Sequence, residues 1–219
     1  FDGGYLVPDL IFRCDALLSI GIGWDVSFDL ALAERGATVL QFDHTLEAGY
    51  LPGGVDHPNF RLQRLGLGTI THGDLLSLDD MVQQIDSLTP AHPSLNFDIE
   101  GAEWSTITAA HTEQLSKFEV IACELHDLHR LGEPEFFASV VQTITALTTH
   151  HRSVHVHPNN NRPAITIAGV DIPEVLEVSF LRADLATFTP IDQLELPHPL
   201  DTSNNPYLPD LSITFEGTP

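Results

Sequence analysis

Apolar and polar positions change period along the chain in a regular way. ALLSIG (16–21), ATVLQFD (37–43), SLNFDIEG (94–101), FEVIACELH (118–126), SVHVH (153–157) and LEVSFLR (176–182) are short, mostly apolar runs closed by glycine or by a polar residue. Runs of that length and ending predict buried strands. NFRLQRLGLG (59–68) predicts a more polar strand that ends in glycines. Between them the period lengthens. VSFDLALAERG (26–36) predicts a helix closed by Gly36. SLDDMVQQI (77–85) opens with Ser77 as a cap and two acids in the first turn. AEWSTITAAHTEQL (102–115) spaces Trp104, Ile107, His111 and Leu115 along one helical face. EPEFFASVVQTITAL (133–147) is the clearest helix, with Pro134 in its first turn and a stripe running from Phe136 to Leu147.

Strands alternating with helices predict a mostly parallel sheet covered on both faces, a doubly wound α/β domain of Rossmann-like type. From Thr187 onward the text becomes proline-rich, as in ELPHPLDTSNNPYLPD (195–210). That composition predicts a surface-hugging or mobile extension. The division is therefore a domain over 1–186 and an extension over 187–219.

Composition narrows the class. A chain of 219 residues, 42% hydrophobic with mean hydropathy +0.03, fits one globular domain with a sizeable core. No apolar run reaches membrane-spanning length, and no signal-peptide pattern is visible. Nine Lys and Arg oppose 31 Asp and Glu for a net charge of −22, and Lys117 is the only lysine. Such a surface repels phosphate backbones and anionic lipid, so neither nucleic acid nor membrane is an expected partner. Cys14 and Cys123 both sit in apolar text and read as reduced core residues, which makes the cytoplasm the default location.

In a doubly wound sheet the ligand lies at the carboxyl ends of the strands, near the point where strand order reverses. The first strand ends in SIGIGWD, where Gly21 and Gly23 allow a tight turn and close approach of backbone to a ligand. The second ends in Asp43, about 20 residues on, suited to accept hydrogen bonds from a ribose. Together they point to an adenosine-type ligand. Three later strands end in pairs spaced i, i+2: Asp98 with Glu100, Glu124 with His126, and His155 with His157. Strand alternation puts each pair on one face, with apolar Ile99, Leu125 and Val156 on the other. Six titratable groups converging on one region fit mutual hydrogen bonding, or a hard divalent cation such as Mg2+ or Mn2+ held by Asp98, Glu124 and His126.

LLSIGIGWDVSFDLALAERGATVLQFD, SLDDM, DIEGAEW, ELH and VHVHPNN, in that order over roughly residues 16–182, resemble the FkbM-type S-adenosylmethionine-dependent methyltransferases. The resemblance implies methyl transfer, usually to an oxygen of a small-molecule or sugar acceptor. It implies that Gly21 and Gly23 face the methionine and ribose portions of the cofactor, that Asp43 holds the ribose hydroxyls, and that Leu67 and Gly68 border the adenine. Asp98 would lie beside the methionine end and the acceptor, with His126, His155 or His157 as the base. Two departures stand out. Ser19 occupies the position of the family's acid two residues before the first glycine, and Asp25 occupies the third glycine position, from which it could contact the cofactor's ammonium. Metal-dependent relatives such as catechol O-methyltransferase also place acids after these strands but use a lysine that this chain lacks. Two other readings compete: a metal-dependent hydrolase built on the acid and histidine pairs, and a non-catalytic nucleoside-binding protein of the same fold.

Overall fold

A computed structural model describes residues 4–191 and 193–216; residues 1–3, 192 and 217–219 lie outside it. Seven strands form the central sheet: β1 (Ala16–Ile20), β2 (Thr38–Phe42), β3 (Phe60–Gln63), β4 (Pro93–Phe97), β5 (Val120–Leu125), β6 (His151–Pro158) and β7 (Leu176–Arg182). Their order is β3-β2-β1-β4-β5-β7-β6. Neighbours from β3 through β5 are parallel, whereas β7 runs antiparallel to both β5 and β6. The central strands β1 and β5 are buried along their whole length, which is why they read as continuous apolar runs rather than as alternation.

Both faces are covered. Helices α1 (Ser27–Ala33), α2 (Leu78–Asp86), α3 (Glu103–Ala109), α4 (Thr112–Leu115) and α5 (Pro134–His150) follow in chain order. On one face Met81, Ile85, Trp104, Ile107, Leu115 and Leu147 from the last four pack against Leu18, Ile20, Phe42, Leu95, Phe97 and Ile121 of the sheet. On the other, Leu32 and Ala33 of α1 and Ile11 of a short 3-10 turn cover Leu17, Val39, Val120 and Leu181. The doubly wound class expected from the pattern is the class observed. The chain leaves β1 towards β2 and β3 and returns on β1's other side as β4, so the switch point lies between β1 and β4.

Local expectations fare unevenly. Ser77 does cap α2, its hydroxyl accepting the Asp80 N–H at 3.2 Å. The helix expected over 102–115 is broken, because Ala110 takes an extended backbone (ψ 154°) and separates α3 from α4. His111 therefore leaves the apolar face and pairs with Asp79, while Trp104, Ile107 and Leu115 stay buried. The run 59–68 also divides: β3 ends at Gln63, and Gly66–Gly68 pairs instead with Leu75–Ser77.

The C-terminal extension hugs the sheet edge. Gln193–Leu196 pairs with Ile213–Glu216, and the Asn160 side chain donates to Ser203 Oγ at 2.7 Å and accepts the Asn205 N–H at 2.7 Å. Both cysteines are free and buried, as read from the sequence. Among the described residues, no helix is long and apolar enough to cross a membrane.

Candidate active site

A pocket of about 570 Å3 opens at the carboxyl ends of β1, β2, β4 and β5, at the switch point. Its first wall is the loop after β1. Gly21 has φ 77°, and a Cβ there would stand far closer than 3.0 Å to the Asp98 carbonyl oxygen, so only glycine lets this loop press against the turn after β4. Gly23 differs. Its φ is 54°, and nothing lies within 4 Å of where its Cβ would be, so it leaves the pocket open.

Asp43 ends β2 and faces this loop. Its Oδ2 accepts the N–H groups of Ile22 and Gly23, both at 3.0 Å, and its Oδ1 accepts the Thr45 N–H at 2.8 Å and the Thr45 hydroxyl at 2.6 Å. Burial works against its charge, but the bonds from Thr45, Gly23 and Ile22 outweigh that and hold the carboxyl below its ordinary range. The sequence suggests a carboxylate free for a ribose. The structure shows one with all four acceptor positions engaged, of which only the Thr45 hydroxyl is a side-chain donor that can rotate away.

The second wall gathers charge around one imidazole. β4 ends at Phe97, so strand alternation is not what brings Asp98 and Glu100 together, contrary to the sequence reading. A turn with Glu100 at φ 52° and Gly101 at φ 98° does so. His126 Nε2 lies 3.2 Å from Glu124 Oε2, 3.5 Å from Asp98 Oδ1 and 3.6 Å from Glu100 Oε2. Behind it, fully buried Glu103 accepts the His126 backbone N–H at 2.5 Å and the Gly101 N–H at 2.9 Å, with Oε1 3.3 Å from Nδ1. Trp104 fixes the same strand end by donating its indole N–H to the His126 carbonyl at 2.9 Å.

Burial alone would lower the His126 pKa. Glu103, Glu124 and Asp98 overturn that and raise it to about 11. The imidazole therefore holds its proton at neutral pH and is a donor, which removes it as a general base there. Its contribution to stability is present below its ordinary pKa of 6.5 and is lost only as pH rises through about 11.

Of the residues singled out in the sequence, Gly21, Gly23, Asp43, Asp98, Glu100, Glu124 and His126 line the pocket. Gly68 does not, although Gly66 and Leu67 beside it do. Asp25 borders an adjoining hollow of about 240 Å3, where its carboxylate accepts the Ser27 N–H at 2.8 Å. His155 and His157 share a face, as alternation requires, but are not among the pocket's lining residues. His155 Nε2 is 2.7 Å from Asp201 Oδ1 of the extension, and His157 Nδ1 is 2.8 Å from Glu177 Oε2. That location sets both histidines apart from the pocket's lining. Asp98, Glu124 and His126 offer ligand atoms all within 4.8 Å of one another.

Two buried acids were not read as site residues. At the start of α3, Glu103 has the sequence position of an acid favoured by the helix dipole; its place beside Trp104, which is buried, is the signal that sets it apart. Asp29 lies on α1's buried stripe, i and i+3 with Leu32, where an acid is out of place. It takes the Ser19 hydroxyl at 2.8 Å on Oδ1 and the Gln41 amide at 2.7 Å on Oδ2. Ser19 thus lies against a carboxylate of the helix above it. Burial pushes Asp29 from 3.8 up to about 6, against the bonds from Gln41 and Ser19. A raised carboxyl stabilises the fold below its unfolded pKa and loses that contribution as pH rises through about 6, on the order of 3 kcal/mol across the window. Asp29→Asn is expected to flatten the stability profile between about pH 4 and 7 relative to the unsubstituted chain. Urea unfolding at both ends of that range checks it, and parallel profiles for the two proteins would contradict it.

Comparison with known proteins is sparse. No protein-family model and no curated protein matches the sequence. Among solved structures, a protein from Listeria monocytogenes assigned as an S-adenosylmethionine dependent methyltransferase aligns over 80% of this chain and 92% of its own, at 12% identity and TM-score 0.46. The 16S rRNA (adenine(1408)-N(1))-methyltransferase of Catenulisporales acidiphilia aligns over 81% and 90%, at 12% identity and TM-score 0.37. An antibiotic related methyltransferase aligns over 78% and 90%, at 12% identity and TM-score 0.33. Likenesses this distant bear on neither activity nor substrate.

Proposed function

We propose that this chain is an S-adenosylmethionine-dependent methyltransferase acting on a hydroxyl of a small-molecule or sugar acceptor. The observation that carries the reading is the pocket at the switch point, which joins a glycine loop and a β2-end acid on one wall to carboxylates and a charged imidazole on the other. The first wall suits an adenosine: Gly23 leaves room for it, and rotation of the Thr45 hydroxyl frees an Asp43 oxygen for a ribose hydroxyl. Leu67 supplies an apolar surface for the base. When bound, S-adenosylmethionine supplies a methyl group on a positively charged sulfur, ready for in-line displacement.

The remaining work falls to the chain's own side chains. His126, protonated and fixed by Glu103, donates a hydrogen bond that orients the acceptor. Asp98, whose side chain is 28% exposed, would take the acceptor's hydroxyl proton as the carbon–oxygen bond forms, the carbon–sulfur bond breaks and the neutral thioether leaves. Positioning and exclusion of water supply much of the rate in such a transfer. One observation favours a second reading, in which His126 gives up its ring proton rather than donating it: Asp98, Glu124 and the neutral His126 are spaced to take a divalent cation such as Mg2+ or Mn2+, which would then be the acceptor's anchor in place of the His126 hydrogen bond.

Transfer of labelled methyl to a panel of sugars, phenols and amino alcohols tests the reading, run with EDTA and with added Mg2+. Asp98→Asn is expected to lower turnover by about 100-fold while the protein stays folded. Labelling confined to nitrogen acceptors would overturn the hydroxyl assignment. Equal turnover in EDTA and Mg2+ would remove the cation.

A further inference from the structure

Strands β5, β7 and β6 lie side by side, and their register sets Glu124 opposite Glu177 and Glu177 opposite His157. All three side chains are buried. Like charges placed directly across a strand pair repel unless donors hold them. Each carboxylate has its own. Glu124 Oε2 lies 3.2 Å from His126 Nε2, and its Oε1 accepts the Asn159 amide at 3.3 Å. Glu177 Oε2 lies 2.8 Å from His157 Nδ1, and its Oε1 accepts the amide of Asn204. Asn204 is wholly buried and comes from the C-terminal extension. An amide from outside the sheet thus holds the acid beside Glu124, and both acids line the hollow adjoining the main pocket.

The loop after β6 makes a second connection. Asn159 and Asn160 are consecutive and buried but serve different partners. Asn159 donates to Glu124, and its own Oδ1 accepts the Asn161 N–H at 2.9 Å. The Asn160 amide is shared among Ser203 Oγ at 2.7 Å and the carbonyls of Asn205, Leu208 and Pro209 at 3.0, 3.2 and 3.3 Å. Its Oδ1 accepts the Asn205 N–H at 2.7 Å. Asn159, Asn161 and Arg162 of this loop line the main pocket. One planar peptide joins the residue that grips the extension to the residue that grips Glu124, so a shift of one carries to the other.

We propose that the C-terminal extension is a working part of the switch-point site: Asn160 and Asn204 are positioning residues that hold Glu124, and through it His126, from outside the pocket. The consequence for methyl transfer rests on the methyltransferase reading above, whereas the consequence for His126 does not. Without the Asn204 amide, Glu177 is left to His157 among the described residues, with Glu124 still opposite it. Without Asn160, the loop that carries Asn159 loses its hold on the extension. Either loss frees Glu124 to turn from the imidazole that it orients.

Nuclear magnetic resonance of the His126 ring, identified by the loss of its signals in His126→Gln, reads the placement directly. Asn160→Ala and Asn204→Ala are each expected to displace the ring resonances while the protein stays folded. Both are expected to lower kcat for labelled methyl transfer by about 10- to 100-fold, with little change in the KM for S-adenosylmethionine. Tyr207→Ala, also in the extension but 85% exposed, is expected to leave both readings as in the parent. Ser203→Ala removes one acceptor of Asn160 at a part-buried position and is expected to give a smaller displacement. It decides the matter where the alanine variants at Asn160 and Asn204 do not fold. Folded variants whose His126 ring matches the parent's overturn the inference, as does an equal displacement in Tyr207→Ala. A parent protein without methyl transfer overturns the methyltransferase reading alone, since the ring signal is read without cofactor.

Discussion

Gly21→Ala is expected to cost about 4 kcal/mol of stability and to abolish nucleoside binding. The position is left-handed, at φ 77°, which alone strains an alanine by about 1 kcal/mol. The larger part is steric. The new Cβ would meet the Asp98 carbonyl oxygen, and that atom is backbone at the end of a core strand, so it cannot swing aside. The Asp98 N–H donates to the Ile20 carbonyl at 2.9 Å, and the Gly21 N–H to the Phe42 carbonyl at 2.8 Å. Displacing the loop therefore pulls on the ends of β1, β2 and β4 together. Urea unfolding reads the loss. A penalty under about 1 kcal/mol would mean that the loop and the β4 turn do not pack as described.

Glu103→Ala is expected to be nearly as damaging, at about 3–5 kcal/mol. The carboxylate is wholly buried and satisfies two backbone N–H groups, of Gly101 and His126, besides countering the His126 charge. Truncation strands both N–H groups without water and leaves an imidazolium short of one of its two buried counter-charges, the other being Glu124. Glu103→Gln keeps an acceptor oxygen and should lose about half as much. A spectroscopic readout separates the electrostatic part. In the parent protein the His126 ring should show no titration between about pH 5 and 9, whereas in Glu103→Gln its midpoint should move downward. A parent His126 that titrates near 6.5 would contradict the charged-imidazole assignment.

The parts of the fold legible in the sequence were those fixed by local period and by chain ends. β1, β2, β4 and β5 announce themselves as apolar runs because burial on both faces leaves them little freedom in composition. The glycine loop and Asp43 could be placed because a ligand at the switch point demands small residues and polar strand ends there. What escaped depends on contacts distant in sequence. Nothing local distinguishes Ala110 from a helix residue; packing of α3 and α4 against α5 decides the break. His155 and His157 share a face as alternation requires. That face meets Glu177 of β7 and Asp201 of the extension, partners that no pattern in VHVHPNN could name. Asp98 and Glu100 do converge on His126, but through a left-handed turn beyond the strand rather than through its pleat. Asp29 and Glu103 escape for the complementary reason: each sits near a helix start, where an acid is ordinary, and only its burial among apolar neighbours distinguishes it.

The central claim, that the switch-point pocket holds S-adenosylmethionine, is tested most directly by calorimetric titration of the unsubstituted chain and of Gly23→Ala. Gly23 meets nothing within 4 Å of where its Cβ would be, so alanine costs only about 1 kcal/mol of backbone strain yet enters the proposed nucleoside space. Micromolar binding to the parent protein, weakened at least about tenfold in a folded Gly23→Ala, is the expected result. No binding to the folded parent, or equal affinity in both proteins, would contradict the account.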